Sequence, residues 1–405
     1  MDRISDPPTL DRPTGKVSPW RVAAACTMVA IGVCILAFAM NGDKAAKRDF
    51  ISYWAAGQQL VHHANPYDGE AILRLERSAG FSDNRPFFMR NPPSAFFLAL
   101  PLGLVSARVG AVLWSLALVA ALMGCIRMLW IMHGRPPDRL HLLGYCFPPT
   151  LACLLAGQIG LFIALGVVLF LYFHDSNPYL GGAALLLCAL KPHLFLPFGV
   201  VLIVWIVARK AYRVLAGAMV AFIASVALSF LLDPAGWSHY AGMVKASNIQ
   251  NEYIPTLSLM FRLAIHRNWI WLQFAPAFAG CLWGLWYFWT RRERWNWMDQ
   301  GCLLLIVSVL VAPYAWFTDQ VVLLPALLGA IYLTRSRTVL AMFVVVMTVE
   351  EIIVFRGVNV LHSTLHAWSV PALLAWYLYA VFAGAAQPSE AYDATPLIDG
   401  REATL

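Results

Sequence analysis

Long apolar runs alternate with short polar connections along this chain, and they recur from residue 20 to residue 383 with no polar stretch long enough for a separate soluble domain. A helix crossing a hydrocarbon layer of roughly 30 Å needs about 20 mostly apolar residues, fewer where it is broken or shielded by neighbours. On that measure the pattern predicts about twelve crossings, at residues 20–40, 109–132, 140–155, 159–173, 179–190, 193–207, 214–232, 269–289, 298–311, 320–333, 340–355 and 368–382. The apolar stretch 95–105 is flanked by Pro92 and Pro93 and contains Pro101, so it predicts a short interfacial helix rather than a crossing. The expected fold is an all-α polytopic membrane protein. A cytoplasmic tail at 1–19 precedes one membrane-embedded body at 20–386, and a disordered cytoplasmic tail rich in Ala, Pro, Thr and acidic residues follows at 387–405.

Charge orients this body. Positive residues gather in four connections: Arg127, Arg135 and Arg139; Arg209, Lys210 and Arg213; Arg291, Arg292 and Arg294; Arg335 and Arg337. All fall on one side, which the positive-inside rule makes cytoplasmic, together with both tails. Two long outer loops remain, at about 41–105 and 233–268. Composition agrees, since 60% of the residues are hydrophobic and only 13% charged, too few to cover a water-soluble surface. The net charge of +7 is scattered among the connections and builds no basic face, which argues against a nucleic-acid partner. The eight cysteines lie in or beside apolar runs without metal-ligand spacing, so neither a disulfide nor a zinc site is expected. There is no phosphate-binding loop, dinucleotide-binding glycine pattern or paired-His motif, and no cofactor or metal site is assigned.

Ionisable residues near membrane depth are expensive and therefore candidates for function. Asp49 stands just beyond the first apolar run; it is either a proton acceptor for a hydroxyl nucleophile or the N-cap of an interfacial helix carrying Phe50, Tyr53 and Trp54. Lys191 interrupts an apolar run in Leu190-Lys191-Pro192-His193, where proline breaks the helix and frees backbone groups. It suits a phosphate or carboxylate, or else snorkels to the interface. His193 is a second polar group in that break or a buried, hydrogen-bonded imidazole. Asp319, in an outer turn after Pro313 and Trp316, positions an acceptor, binds a cation or caps the next helix. A polar patch from Asn248 to Ser258, including Asn251, offers hydrogen-bonding groups of the kind sugar recognition needs.

Several of these residues fall in ordered motifs. Asp49-Phe50-x-x-Tyr53-Trp54-Ala55-Ala56-Gly57, Asn65-Pro66-Tyr67-Asp68 and Asn91-Pro92-Pro93 are followed by Gly157-Gln158, Lys191-Pro192, the Asn251 to Ser258 patch and Ala312-Pro313-x-x-Trp316-x-x-Asp319. The series resembles glycosyltransferase family 87, which contains polyprenyl-phosphate-mannose-dependent mannosyltransferases of the GT-C fold class. The last turn departs from the pattern, with Phe317 and Thr318 where many relatives carry Asp or His. The resemblance implies a GT-C-like body and inverting transfer of a hexose, mannose first, from a polyprenyl-phosphate donor to a glycolipid or envelope glycan. It implies Asp49 as catalytic base and Lys191 as donor-phosphate partner, with Arg48 and His193 as helpers. Tyr53, Trp54, Gln158, Asn251, Ser258, Trp316 and Asp319 are then the acceptor or sugar contacts. A transporter or flippase of a lipid-linked sugar is the alternative, but its charged residues would sit nearer the bilayer midplane. The expected location is a bacterial inner membrane with the site on the periplasmic or extracellular side.

Overall fold

Proline positions decide how the apolar runs fold. The structure is a computed structural model and describes residues 49–247, 254, 256–356 and 366–385. The expected crossing at 20–40 and the expected tails at 1–19 and 387–405 lie outside the described residues. The first loop contains α1 (Phe50–Val61) and α2 (Gly69–Ser78), then a 3-10 turn at Pro93–Ala95 that runs into α3 (Phe96–Gly103). The body continues with α4 (Ala107–Met132), α5 (Pro148–Ala156), α6 (Gly160–Phe173), α7 (Pro178–Cys188), α8 (Leu196–Ala208) and α9 (Tyr212–Leu232). α10 (Gly236–Ser247) and α11 (Leu257–Ile265) belong to the second loop. α12 (Ala275–Arg291), α13 (Gln300–Leu310), α14 (Leu324–Leu333), α15 (Arg337–Phe355) and α16 (Ser369–Ala385) follow. No strand occurs among the described residues.

Pro148, Pro178, Pro197, Pro276 and Pro325 stand in the first turns of α5, α7, α8, α12 and α14. A proline there loses no hydrogen bond, but it stops a helix arriving from the preceding residues. Apolar runs are thereby cut into a 3-10 turn and a shorter helix, as at Leu140–Cys146 before α5, Ile270–Phe274 before α12 and Phe317–Leu323 before α14. Three helices, α4, α9 and α15, are long and apolar enough to cross a membrane by length and composition. The other expected crossings within the described residues form shorter helices. α3 has eight residues, about 12 Å at 1.5 Å per residue, and is too short to cross.

Exposed apolar side chains on α9, such as Val220 at 69% and Leu231 at 78%, give that helix a face suited to lipid. Inside, α9 packs on α7, α7 on α6, α6 on α4, and α8 on α12. α1 packs on α3 through Gly57 and Gly103: a Cβ on Gly57 would overlap the Ala99 carbonyl oxygen, and one on Gly103 the Gly57 carbonyl oxygen. The buried face of α2 carries Glu76, whose carboxylate accepts the Phe87 N–H at 3.1 Å and straps the rest of the loop down.

This packing sorts the connections. The breaks after α5, α7 and α13 meet at one end of the bundle, joined to Asp49. The Arg-rich connections lie at the other, where the Arg209 guanidinium donates to the backbone oxygens of Arg292 (2.7 Å) and Glu293 (3.1 Å).

Candidate active site

Three helix breaks supply the polar groups. α5 ends on Gly157, whose left-handed backbone (φ 68°) would strain a residue with a side chain, and the Gln158 N–H closes the cap on the Cys153 carbonyl at 3.1 Å. Lys191 lies between α7 and the 3-10 turn Pro192–Phe195, held out of helical geometry (φ −137°, ψ 69°) ahead of its proline. Asp319 lies in the turn Phe317–Leu323, which packs on α5 and α6. Lys191 Nζ donates to Asp319 Oδ1 at 2.6 Å and to Gln158 Oε1 at 3.0 Å. The other Asp319 oxygen accepts the Trp316 N–H at 3.1 Å, so this carboxylate both caps its turn and neutralises the lysine. The Lys191 and Asp319 side chains are 14% and 1% exposed, and a pair this buried stands only because its partners are satisfied.

Asp49 completes the cluster from the start of α1. Its N–H donates to the Ala156 carbonyl at 2.8 Å, and its own carbonyl accepts the Ser52 hydroxyl at 2.8 Å. The side chain does not cap α1. It turns instead toward Gln158, which hydrogen-bonds it, within electrostatic reach of Lys191, Asp319 and Arg90. Asp49 precedes α1 and lies outside the spanning segments. Burial pushes its carboxyl up to about 6, with Lys191 pulling the other way and Asp319 adding to the rise. Asp319 has both oxygens engaged, whereas Asp49 is a half-buried carboxylate whose proton affinity suits proton transfer near neutral pH.

The first loop is fastened to this cluster by Asn91. Its Nδ2 donates to the Leu190 carbonyl at 2.9 Å, next to Lys191, while its Oδ1 accepts the Tyr53 hydroxyl at 2.9 Å and its backbone carbonyl the Tyr67 hydroxyl at 2.8 Å. Tyr53 stacks on Trp114 with centroids 5.0 Å apart, and Trp114 Nε1 donates to the Gly157 carbonyl at 2.8 Å. Trp54 is buried and donates to the Val105 carbonyl at 3.0 Å. Tyr53 and Trp54 thus hold α1 in place.

The remaining predicted residues divide. Gln158 bridges Lys191 and Asp49; His193 lies with its ring on Tyr314 at 4.0 Å. Trp316 contributes its N–H to Asp319. Ser258 is fully buried and donates to the Val311 carbonyl at 2.9 Å, packing α11 onto the end of α13. Arg48 and Asn251 lie outside the described residues. Sequence reasoning passed over Asn91 as a site residue. The signal available was its place before two prolines, which forces an extended backbone and leaves the amide free to bridge segments.

A family model, glycosyltransferase family 87, matches residues 88–313 of the 405-residue chain, a stretch that carries Asn91, Gln158 and Lys191. The chain belongs to glycosyltransferase family 87. No curated protein and no solved structure matches it. As a family-87 protein it is a membrane glycosyltransferase and uses a sugar donor and an acceptor. Asp49 and Asp319 lie outside the matched stretch, and the fold brings both to the Lys191 and Gln158 side chains within it.

Proposed function

We propose that this family-87 protein is an inverting glycosyltransferase that moves a hexose, mannose first, from a polyprenyl phosphate to a hydroxyl of a glycolipid or envelope glycan. The observation that carries the reading is the half-buried Asp49 carboxylate, hydrogen-bonded by Gln158 beside the Lys191 ammonium. Asp49 accepts the proton of the acceptor hydroxyl as its oxygen attacks the anomeric carbon. The bond to the phosphate oxygen breaks on the opposite face, its electron pair leaves with the phosphate, and the anomeric configuration inverts. Phosphate needs charge stabilisation more than a proton. An ammonium has three donors, of which Asp319 and Gln158 take two, so Lys191 keeps one for the leaving oxygen. Arg48 and His193 assist at the phosphate.

Tyr53, Trp54, Trp316, Ser258 and Asp319 act on the acceptor and sugar site through the elements they hold, and Gln158 and Asn251 bind the sugars. The donor's polyprenyl chain stays in the bilayer, which accounts for an enzyme embedded in it. About twelve crossings, one body at 20–386, cytoplasmic tails at 1–19 and 387–405, and a site on the periplasmic or extracellular side of a bacterial inner membrane complete the reading.

The test is transfer of radiolabel from polyprenyl-phosphate-mannose to extracted membrane lipids by purified protein in nanodiscs, with parent and Asp49→Asn side by side. A labelled lipid made by the parent alone supports both the reaction and its base; equal labelling by the two removes Asp49 from the role.

A further inference from the structure

Aromatic rings lie beside the Lys191–Asp319 pair, with His193 within electrostatic reach of both groups. The His193 ring, two residues beyond Lys191, lies on Tyr314 with centroids 4.0 Å and planes 31° apart. Tyr314 is within electrostatic reach of Tyr240 on α10, and the Tyr240 ring packs on Tyr67 at 5.6 Å. Tyr67 and Tyr53 close the circuit through Asn91, which is bonded to Leu190 beside Lys191. The first loop, the helix break at Lys191, α10 and the turn after Pro313 therefore all contribute rings or phenol oxygens to one series that starts beside Lys191.

The four tyrosines are not equivalent. Tyr53 and Tyr67 are buried and spend their hydroxyls on Asn91. Tyr240 and Tyr314 are half-buried, and among the described residues neither hydroxyl has a hydrogen-bond partner. Partly desolvated phenols ordinarily find a partner, and when the chain supplies none, water or a ligand must. Nothing in the fold requires them to be tyrosine: the stack on His193 and the packing on Tyr67 need only rings.

We propose that Tyr314, Tyr240 and the His193 ring form a pyranose-binding subsite. A pyranose presents one face of axial C–H groups and a circumference of hydroxyls. The ring faces receive the first and the unpartnered phenols bond the second. The inference rests on the sugar-transfer reading above and adds to it the side chains that grip the sugar. The donor hexose and a sugar of the acceptor share this chemistry, and the experiment separates them.

Tyr314→Phe, Tyr314→Ala and Tyr240→Phe are compared with the parent in nanodiscs. KM for polyprenyl-phosphate-mannose and KM for the lipid acceptor are measured separately, and saturation-transfer NMR follows methyl mannoside as a free probe. Loss of one hydroxyl contact raises one KM about tenfold while kcat stays within about twofold, the signature of lost binding rather than lost chemistry. Tyr314→Ala, which also loses the stack, raises it further and abolishes saturation transfer. A rise in the donor KM assigns the donor hexose, and a rise in the acceptor KM the acceptor sugar. Tyr179→Phe, on an exposed ring at the far end of α7, changes neither. Both KM values unchanged in Tyr314→Phe and Tyr240→Phe, with the parent turning over, overturns the subsite and leaves the transferase standing. A parent that transfers nothing but gives saturation transfer that Tyr314→Ala abolishes keeps the subsite and removes the transfer reading. A parent that does neither overturns both.

Discussion

At one end of the bundle Lys191 and Asp319 lie 2.6 Å apart with side chains 14% and 1% exposed; at the other, Arg292 and Glu293 lie 3.2 Å apart at 44% and 81%. The groups are alike and their surroundings are not. The exposed pair is screened by water and contributes between nothing and about 1 kcal/mol. The buried pair has given up its hydration and holds only because Gln158 and the Trp316 N–H complete its hydrogen bonding. Charge at the Arg-rich end is where positive-inside topology needs it. Charge at the other end costs energy to hold, and Asp49, pushed up to about 6 beside it, is the group to which the proposed reaction assigns proton transfer.

The comparison can be broken first at Asp49. Its side chain caps no helix, so Asp49→Asn is expected to fold as the parent does while initial rates of transfer fall by about 10²–10⁴, the range for a lost general base. Next comes the buried pair. Lys191→Met strands the Asp319 carboxylate and costs about 3–5 kcal/mol in thermal unfolding, whereas Lys191→Met with Asp319→Leu recovers most of that stability and none of the activity. A double variant no more stable than the single one would mean that the pair is not the source of the strain. Asn91→Ala, which strands the Tyr53 hydroxyl and the Leu190 carbonyl, is expected to cost about 1–3 kcal/mol and to raise hydrogen exchange in the first loop. Smallest of all, Arg292→Ala should stay within about 0.5 kcal/mol of the parent by thermal unfolding; a larger change would erase the contrast between the two ends.

Sequence reading found the elements more readily than their lengths. The run at 214–232 forms α9 (Tyr212–Leu232) and the run at 159–173 forms α6 (Gly160–Phe173), because unbroken apolar stretches leave helix as the only way to satisfy the backbone. The run at 140–155 is instead divided, since Pro148 and Pro149 stop the preceding 3-10 turn and start α5. The break at Lys191-Pro192 was legible for the same reason. The site was legible as residue types and illegible as an assembly. Lys191 meets Asp319 across 128 residues of sequence and Gln158 across 33, and Asn91 reaches Leu190 across 99, separations that carry no local periodicity. Phe50, Tyr53 and Trp54 read as the apolar stripe of an interfacial helix, but α3 and α4 cover α1, and the three are 2%, 6% and 6% exposed. Tyr314 gave no signal at all in the sequence, since its part in the site depends on the ring of His193.

The most direct measurement of the central claim is the pH dependence of mannose transfer from polyprenyl-phosphate-mannose in nanodiscs, for the parent and for Asp49→Asn. A base works as its carboxylate, so protonation removes activity. The parent's rate is expected to be level above the Asp49 value of about 6 and to fall as pH drops through it, about tenfold per unit, while Asp49→Asn is low and flat throughout. An Asp49→Asn profile with the parent's rate and the parent's bend near 6 would contradict the account, because the titrating base would then be another group.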